Sequence, residues 1–216
     1  MDNFFENTLI IIPAYNESET IQKVISGLKN KANILVVDDG SKDLTASLAK
    51  EIGAVVISHP ANYGYEAALN TGLKYAYSNE FMYAVTFDAD GQHNSNIIDD
   101  FMGAFASGAD LVVGVRENLP RISELLFALI GKLIWGIRDP LSGAKGYRLT
   151  EYPNIGNFKK YNSIGSYYAI NGSRRGLMIS QVHIKINPRR DHSRIGGSIR
   201  VNFIILRALI NTFIYK

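Results

Sequence analysis

Residues 8–28 read Thr-Leu-Ile-Ile-Ile-Pro-Ala-Tyr-Asn-Glu-Ser-Glu-Thr-Ile-Gln-Lys-Val-Ile-Ser-Gly-Leu. Thr8–Ile12 is a continuous apolar run closed by Pro13, the pattern of a buried strand. Further on, Ile21, Val24, Ile25 and Leu28 fall at i, i+3, i+4 and i+7, which is one face of a helix. Asn16 is the expected N-cap of that helix, with Glu19 three residues later as its capping-box partner. Strand, polar turn and amphipathic helix make one βα unit, and the unit repeats. Ile34–Val37, Ala54–Ile57, Tyr83–Phe87 and Leu111–Val115 are further short strands by pattern. Helical stretches lie between them: one capped by Asp43 and carrying Leu44 and Leu48, then Ala67–Tyr77, then a stripe of Ile97, Ile98, Phe101, Met102 and Phe105. This rhythm predicts an α/β fold with a mostly parallel, Rossmann-like sheet flanked by helices. In such sheets ligands bind outside the carboxyl ends of the strands. The residues there are Pro13, Asp38, His59, Asp88 and Arg116, so the chemistry is expected on that edge.

After Arg116 the rhythm fades. Leu119–Trp135 reads as a helix with an apolar face. Gly and Tyr are frequent from Ser142 to Gly172, which predicts loops and short strands. Val182–Ile186 reads as an edge strand with His183 and Lys185 turned outward. The tail from Ile199 reads as an amphipathic helix, with Val201, Ile204, Ile205, Ala208 and Leu209 on one face and Arg200 and Arg207 elsewhere. With no internal repeat or linker, residues 1–216 are expected to form a single domain, with a basic amphipathic segment from about residue 189.

Charge divides the chain. Residues 1–151 hold 12 Lys and Arg against 19 Asp and Glu, whereas residues 152–216 hold 11 against 1. The acids gather where a metal can sit, and the basic tail suits phosphates or anionic lipid. Arg and aromatics do not recur in a base-stacking pattern, so nucleic acid is not an expected partner. The absence of Cys excludes disulfides and thiolate metal sites. The opening residues carry acids and no basic n-region, unlike a signal peptide. Leu125–Ile137 and Val201–Tyr215 are short, and Lys132 and Arg207 interrupt them, so neither is expected to span a bilayer. The expected location is cytoplasmic, peripheral at the inner face of the membrane.

Three polar turns at strand ends carry the chemistry. Asp88-Ala89-Asp90 follows Tyr83–Phe87, and two carboxylates one residue apart can reach a hard divalent cation and the diphosphate it binds. Gln92 adds an amide oxygen. Val36-Val37-Asp38-Asp39-Gly40-Ser41 ends the second strand; its acids can accept hydrogen bonds from a base or from ribose hydroxyls. Pro13-Ala14-Tyr15-Asn16-Glu17 ends the first. Each can be read as a plain surface turn; three at successive strand ends are harder to read that way.

Pro13 to Glu17, Val37 to Asp43 and Asp88-Ala89-Asp90-Gly91-Gln92-His93 together resemble the ordered signatures of family-2 glycosyltransferases with a GT-A fold. The Asp-Ala-Asp-x-Gln form and Gly114-Val115-Arg116 resemble the dolichol-phosphate mannose synthase, or polyprenyl-phosphate glycosyltransferase, branch. The resemblance runs from about Thr8 to Arg148, with an echo at Arg194–Ser198. It implies an inverting enzyme that moves a hexose from a nucleotide-diphosphate sugar, of GDP-mannose or UDP-glucose type, to a polyprenyl phosphate. It implies Mg²⁺ or Mn²⁺ held by Asp90 and Gln92, with Asp88 beside them, and a catalytic Arg116 near the phosphates. Pro13, Tyr15, Glu17, Asp38, Asp39, Asp88 and Ala89 are implied to line the nucleotide-sugar site, with Arg194 and Ser198 closing over the diphosphate.

Arg138-Asp139-Pro140-Leu141-Ser142-Gly143 resembles the family's acceptor-side segment. Asp139 is the candidate general base, or else a solvated carboxylate or one paired with Arg138. A sugar hydroxyl needs such a base, whereas a lipid phosphate does not. The alternatives are therefore transfer to a sugar hydroxyl in a cell-surface polysaccharide, and a non-catalytic nucleotide-sugar-binding module. Two departures stand out. Tyr65 and Glu66 occupy the Lys and Gly positions of the relatives' Asn-x-Gly-Lys-Gly, which bears on sugar preference. Ser123–Ile137 reads either as an interfacial helix with Trp135 at headgroup level or as a core helix. His59, His93, His183 and His192 lack metal spacing and read as surface or supporting residues.

Overall fold

The structure is a computed structural model describing residues 2–155, 164–186 and 198–214. A short helix, α1 (Asp2–Glu6), leads into β1 (Thr8–Ala14), α2 (Ile21–Leu28), β2 (Asn33–Asp38), α3 (Thr45–Glu51), β3 (Val55–Ser58), α4 (Tyr65–Ser78), β4 (Tyr83–Thr86), α5 (Ile97–Ala106) and β5 (Leu111–Arg116). Then come α6 (Ile122–Trp135), β6 (Lys145–Arg148), α7 (Tyr152–Ile155), α8 (Ile164–Arg174), β7 (Ile179–Ile184) and α9 (Ser198–Ile214). The strands form one sheet in the order β3-β2-β1-β4-β6-β5-β7. Every neighbouring pair is parallel except those of β6, which runs antiparallel to both β4 and β5.

β1 explains the layering. Leu9 and Ile11 face one cluster with Leu35, Val37, Leu69 and Leu73, and on that side lie α4, α6, α8 and α9. Ile10 and Ile12 face the other with Val36, Ile25, Ile98 and Phe101, under α2 and α5. A strand covered on both faces needs apolar residues at every position rather than alternate ones. Pro13 is tolerated inside this central strand because β4 pairs only with Thr8–Ile11. Beyond that point the missing N–H of Pro13 has no ladder partner to lose.

The first five strands stand where the pattern places them, within a residue or two. The helix after β1 buries Ile21, Val24, Ile25 and Leu28 as expected, but it starts at Ile21 behind Thr20, not behind Asn16. β7 is an edge strand with His183 and Lys185 exposed, beginning earlier than expected. The region from Ser142 to Gly172, expected to hold loops and short strands, has in its described part the short strand β6 but also the helices α7 and α8. The sequence of α8 has Gly, Ser and Asn on several faces and no clean apolar stripe. Trp135 lies buried in the seam between α6 and α9, its ring 5.6 Å from that of Phe213, rather than at a headgroup level. On α9, Val201 and Leu209 are buried, whereas Ile204 is exposed.

α4 approaches β1 through Gly72, where an added Cβ would lie 2.3 Å from Ile11 Cγ2. Gly72→Ala is therefore expected to destabilise the fold by about 1–3 kcal/mol through overpacking. Because the clash is with Ile11, Gly72→Ala combined with Ile11→Ala should lose less stability in urea denaturation than the two single losses added together.

Candidate active site

The loops after β1 and β2 are clasped by their own side chains. Asn16, at φ 53°, donates from its N–H to Ser41 Oγ (2.9 Å) and accepts at Oδ1 from the Lys42 N–H (2.8 Å). The Glu17 N–H donates to Thr45 Oγ1 (2.7 Å), and the Ser18 N–H to Asp43 Oδ2 (3.1 Å). Asn is among the few side chains that tolerate this left-handed conformation. Gly40, at φ 72°, is required more strictly: a Cβ there would lie 2.5 Å from the Ala61 carbonyl carbon.

The clasp holds the candidate nucleotide-binding residues. Pro13 is buried, Tyr15 half-buried, and Glu17 buried with Oε2 accepting from Thr20 Oγ1 (3.1 Å). Asp38 Oδ1 accepts from the Ser41 N–H (3.1 Å). Asp39 organises the next loop, taking the Tyr63 N–H at Oδ1 (3.0 Å) and the Gly64 N–H at Oδ2 (2.7 Å). His59 Nδ1 lies 2.7 Å from Asp39 Oδ1, and its Nε2 lies 2.9 Å from Thr71 Oγ1. His59 is thus a support for Asp39.

Tyr83–Thr86 delivers Asp88-Ala89-Asp90 to the same edge, beside the ends of β1 and β2. Asp90 Oδ1 accepts from the Gln92 N–H (3.0 Å), which closes a tight turn. Asp88 Oδ2 lies 3.0 Å from His93 Nε2. Burial pushes the Asp88 carboxyl up, but His93, Lys145 and Arg116 outweigh it and hold it below the usual value. Burial pushes the His93 ring down, yet Asp88 and Asp90 leave it raised. His93, read from sequence as surface or support, is buried against Phe87 and serves Asp88. Among the described residues no three His, Asp or Glu side chains form a protein-only metal site. Asp88, Asp90 and Gln92 instead offer a few oxygen ligands on one turn, which fits Mg²⁺ or Mn²⁺ completed by water and diphosphate oxygens.

Arg116 closes the other side. Its Nε donates to Asp139 Oδ2 (2.7 Å), its Nη2 to Asp139 Oδ1 (3.0 Å), and its backbone N–H to Oδ2 (3.2 Å). Asp139 is 2% exposed. Its ion-pair partner is therefore Arg116 and not Arg138, whose Nη1 lies 3.4 Å from His183 Nε2. Burial works against the Arg116 charge, but Asp139 and Glu124 raise its pKa further. The loop anchored by Asp139 then turns at Gly143, where a Cβ would stand 2.6 Å from Asp88 Oδ2. Only glycine lets this loop rest on the Asp88 carboxylate.

Lys145 was not singled out by sequence. It is 2% exposed, donates from Nζ to the Ser142 carbonyl, and is pushed down to about 8 by burial, against the pull of Asp139, Glu66 and Asp88. The signal available was a lone Lys inside a short run that the pattern left as loop. Arg194 lies outside the described residues, as does His192, and of Ser198 only the backbone, at the start of α9, is described.

The protein-family model for glycosyl transferase family 2 matches residues 9–121, from β1 through both acidic turns to beyond β5. The chain belongs to glycosyl transferase family 2. It is 30% identical over 236 residues to a UDP-N-acetylglucosamine–dolichyl-phosphate N-acetylglucosaminyltransferase of Methanococcus voltae, covering 93% of this chain and 94% of that one. It is 32% identical over 157 residues to a dolichol-phosphate mannosyltransferase of Pyrococcus furiosus, covering 62% of this chain and 44% of that one. Among solved structures, it is similar to glucosyl-3-phosphoglycerate synthase from Mycobacterium tuberculosis, in complex with Mn²⁺, UDP and glucosyl-3-phosphoglycerate. The TM-score is 0.73 at 23% identity, over 95% of this chain and 78% of that one. This likeness shows the fold, GT-A, and the family makes the protein a glycosyltransferase.

The clasp gives a pH test. Burial raises the Asp43 carboxyl, but hydrogen bonds from Thr45 and Ser18 outweigh it and lower it to about 2. A carboxylate held below its unfolded value stabilises the fold above the unfolded pKa, near 4, and loses that contribution as pH falls through 2. Thermal melting followed between pH 5 and pH 2 should therefore fall more steeply for the native protein than for Asp43→Asn.

Proposed function

We propose that this family-2 glycosyltransferase performs metal-assisted, inverting transfer of a hexosyl group from a nucleoside-diphosphate sugar to a polyprenyl phosphate. The reading is carried by the convergence of Asp38, Asp39, Asp88 and Asp90 at the carboxyl ends of β2 and β4, the two strands that flank β1. The loops of β1 and β2 would hold the nucleoside. Asp90 and Gln92, with Asp88, would hold Mg²⁺ or Mn²⁺, which supplies Lewis-acid stabilisation of the departing diphosphate.

Asp139 supports the same choice of acceptor. Both of its oxygens are engaged by Arg116, so it is poorly placed to take a proton from a sugar hydroxyl. A phosphate acceptor is already ionised and needs only orientation. In the step itself, an acceptor phosphate oxygen attacks the anomeric carbon from the face opposite the leaving group. The bond to the donor diphosphate breaks, its electron pair leaves with the nucleoside diphosphate, and the configuration inverts. Arg116, fixed by Asp139, offers stationary positive charge near that diphosphate. The names of the Methanococcus and Pyrococcus relatives, both lipid-phosphate transferases, support the same acceptor class.

A lipid acceptor requires access to a bilayer. No helix among the described residues is long and apolar enough to cross a membrane. α6 and α9, however, pack side by side through Ser123 and Asn202 and leave much of their apolar surface uncovered. Ile122 is 82% exposed, and Leu129, Leu133, Phe203 and Ile210 are also exposed, with Lys132 and Arg207 among them. An apolar face fringed by cations suits the interface of an anionic membrane.

Two experiments test this reading. With Mn²⁺ or Mg²⁺, labelled GDP- or UDP-sugar and undecaprenyl or dolichyl phosphate, label should move into the organic phase. Asp90→Ala should cut that transfer by at least about 100-fold while leaving the circular dichroism spectrum and melting curve unchanged; normal turnover would remove the metal assignment. Separately, Leu129→Glu with Leu133→Glu should abolish co-sedimentation with vesicles containing anionic phospholipid, and equal sedimentation of both proteins would exclude this face as the contact.

A further inference from the structure

A second polar cluster lies beneath the acidic pair, between α4, β6 and the first turn of α8. Lys145 stands in register with Thr86 of β4, two residues before Asp88. Tyr147, two residues along β6 on the same side, is fully buried. A Cβ on Gly165 of α8 would stand 3.6 Å from Lys145 Nζ and 3.6 Å from Tyr147 Oη, so the ammonium and the phenol flank the bare face of one glycine. Glu66, at the start of α4, is the carboxylate whose charge acts on both. Asn70 follows Glu66 by one turn on the same helix face.

The hydrogen-bond inventory of this cluster is incomplete. Tyr147 Oη and Asn70 Oδ1 are buried without a partner among the described residues. Lys145 Nζ has three protons to donate, and its one acceptor among the described residues is the Ser142 carbonyl. A buried hydroxyl with no partner destabilises a fold and calls for an explanation outside the isolated chain. The residue chemistry narrows what that partner is. Lys145 and Tyr147 donate, while Glu66 and Asn70 Oδ1 accept. An anion placed here would meet Glu66 and the nearby Asp88 and Asp139, which all repel it. A neutral polyol, whose hydroxyls each donate and accept, satisfies both kinds of group.

The cluster is also tied to the reacting edge. Ser142, whose carbonyl accepts a hydrogen bond from Lys145 Nζ, precedes Gly143, and Gly143 rests on the Asp88 carboxylate. Tyr65, half-open beside Glu66, has Asp88 and Asp90 within electrostatic reach. We propose that Glu66, Asn70, Lys145 and Tyr147 form the subsite that reads the hydroxyls of the donor's hexosyl group. This rests on the glycosyltransferase reading above and adds to it the residues that select the sugar.

Tyr147→Phe is the decisive variant, because it removes a buried hydroxyl that has no hydrogen-bond partner among the described residues. Its melting temperature should equal or exceed that of the native enzyme. Its affinity for UDP or GDP with Mn²⁺, measured by calorimetry, should be unchanged. Its kcat/KM for the preferred nucleotide sugar should fall about ten-fold, the scale of one lost hydrogen bond to a substrate hydroxyl. With 3-, 4- and 6-deoxy donors in turn, the native enzyme and the variant should become equal for the analogue that lacks the contacted hydroxyl. Lys145→Met should show the same pattern with a larger loss. The proposal is overturned if Tyr147→Phe leaves donor kinetics unchanged, if it weakens nucleoside diphosphate and nucleotide sugar alike, or if it raises the KM of the lipid phosphate instead. Native protein that neither binds nucleoside diphosphate nor turns over any donor would remove the glycosyltransferase mechanism itself, a result distinct from those three.

Discussion

Arg116 and Asp139 meet in a buried, two-pronged ion pair, and the stretch between α6 and β6 is hung on it. Taking two charges out of water is expensive, and the attraction repays it only when geometry is good and the remaining hydrogen-bonding sites are filled. Here Asp139 receives three N–H groups of the same residue, two from the guanidinium and one from the backbone. The pair fixes the loop that follows α6 to the end of β5. That loop then sets Gly143 on the Asp88 carboxylate and the Ser142 carbonyl on Lys145. Asp88, the buried lysine and the loop of residues 138–143 are therefore one mechanical unit. A change at Asp139 would be felt at Asp88 without any direct contact between them.

The β1–β2 side of the sheet edge is built on a different principle. Its two loops are held by hydrogen bonds between side chains and backbone rather than by charge pairs. Asn16, Ser41, Asp43 and Thr45 bond only to groups in the neighbouring turn or their own, so the clasp is local and modular. Its polar atoms are consumed by holding the loops together. Tyr15 is half-buried along the surface those loops present. A site organised this way is rigid before substrate arrives, so less ordering entropy is lost when substrate binds.

The first half of the fold was legible because strand burial and helix faces leave strong periodic marks within a dozen residues. β1 and α2 show both, and their buried residues are the ones the pattern names. Asn16 misled because a left-handed residue and an N-cap draw on the same amino acid. The second half was less legible for physical reasons. β6 reads Lys-Gly-Tyr-Arg, and nothing in it marks a strand until β4 and β5 are on either side. α8 packs through small residues and tyrosines rather than an apolar stripe. The acidic turns of the site were readable because each is a contiguous motif. Arg116 with Asp139 and Lys145 beside Glu66 were not readable as pairs, because each depends on where the chain returns in space, whereas His93 lies behind Asp88 within the same turn.

The reversed strand has a consequence for how the chain assembles. β3, β2, β1 and β4 are all complete by residue 86, and they are neighbours in the sheet. A nascent chain can pair these four while the remainder is still being made. β5 appears next in sequence but cannot join them, because its place beside β4 is taken by β6. The far side of the sheet must wait for residues 145–148 to slot in. That makes β6 a keystone inserted late, through contacts distant in sequence that are slow to form. Until it arrives, the open flank of β4 is an unpaired edge, the kind of surface on which partly folded chains stick to one another.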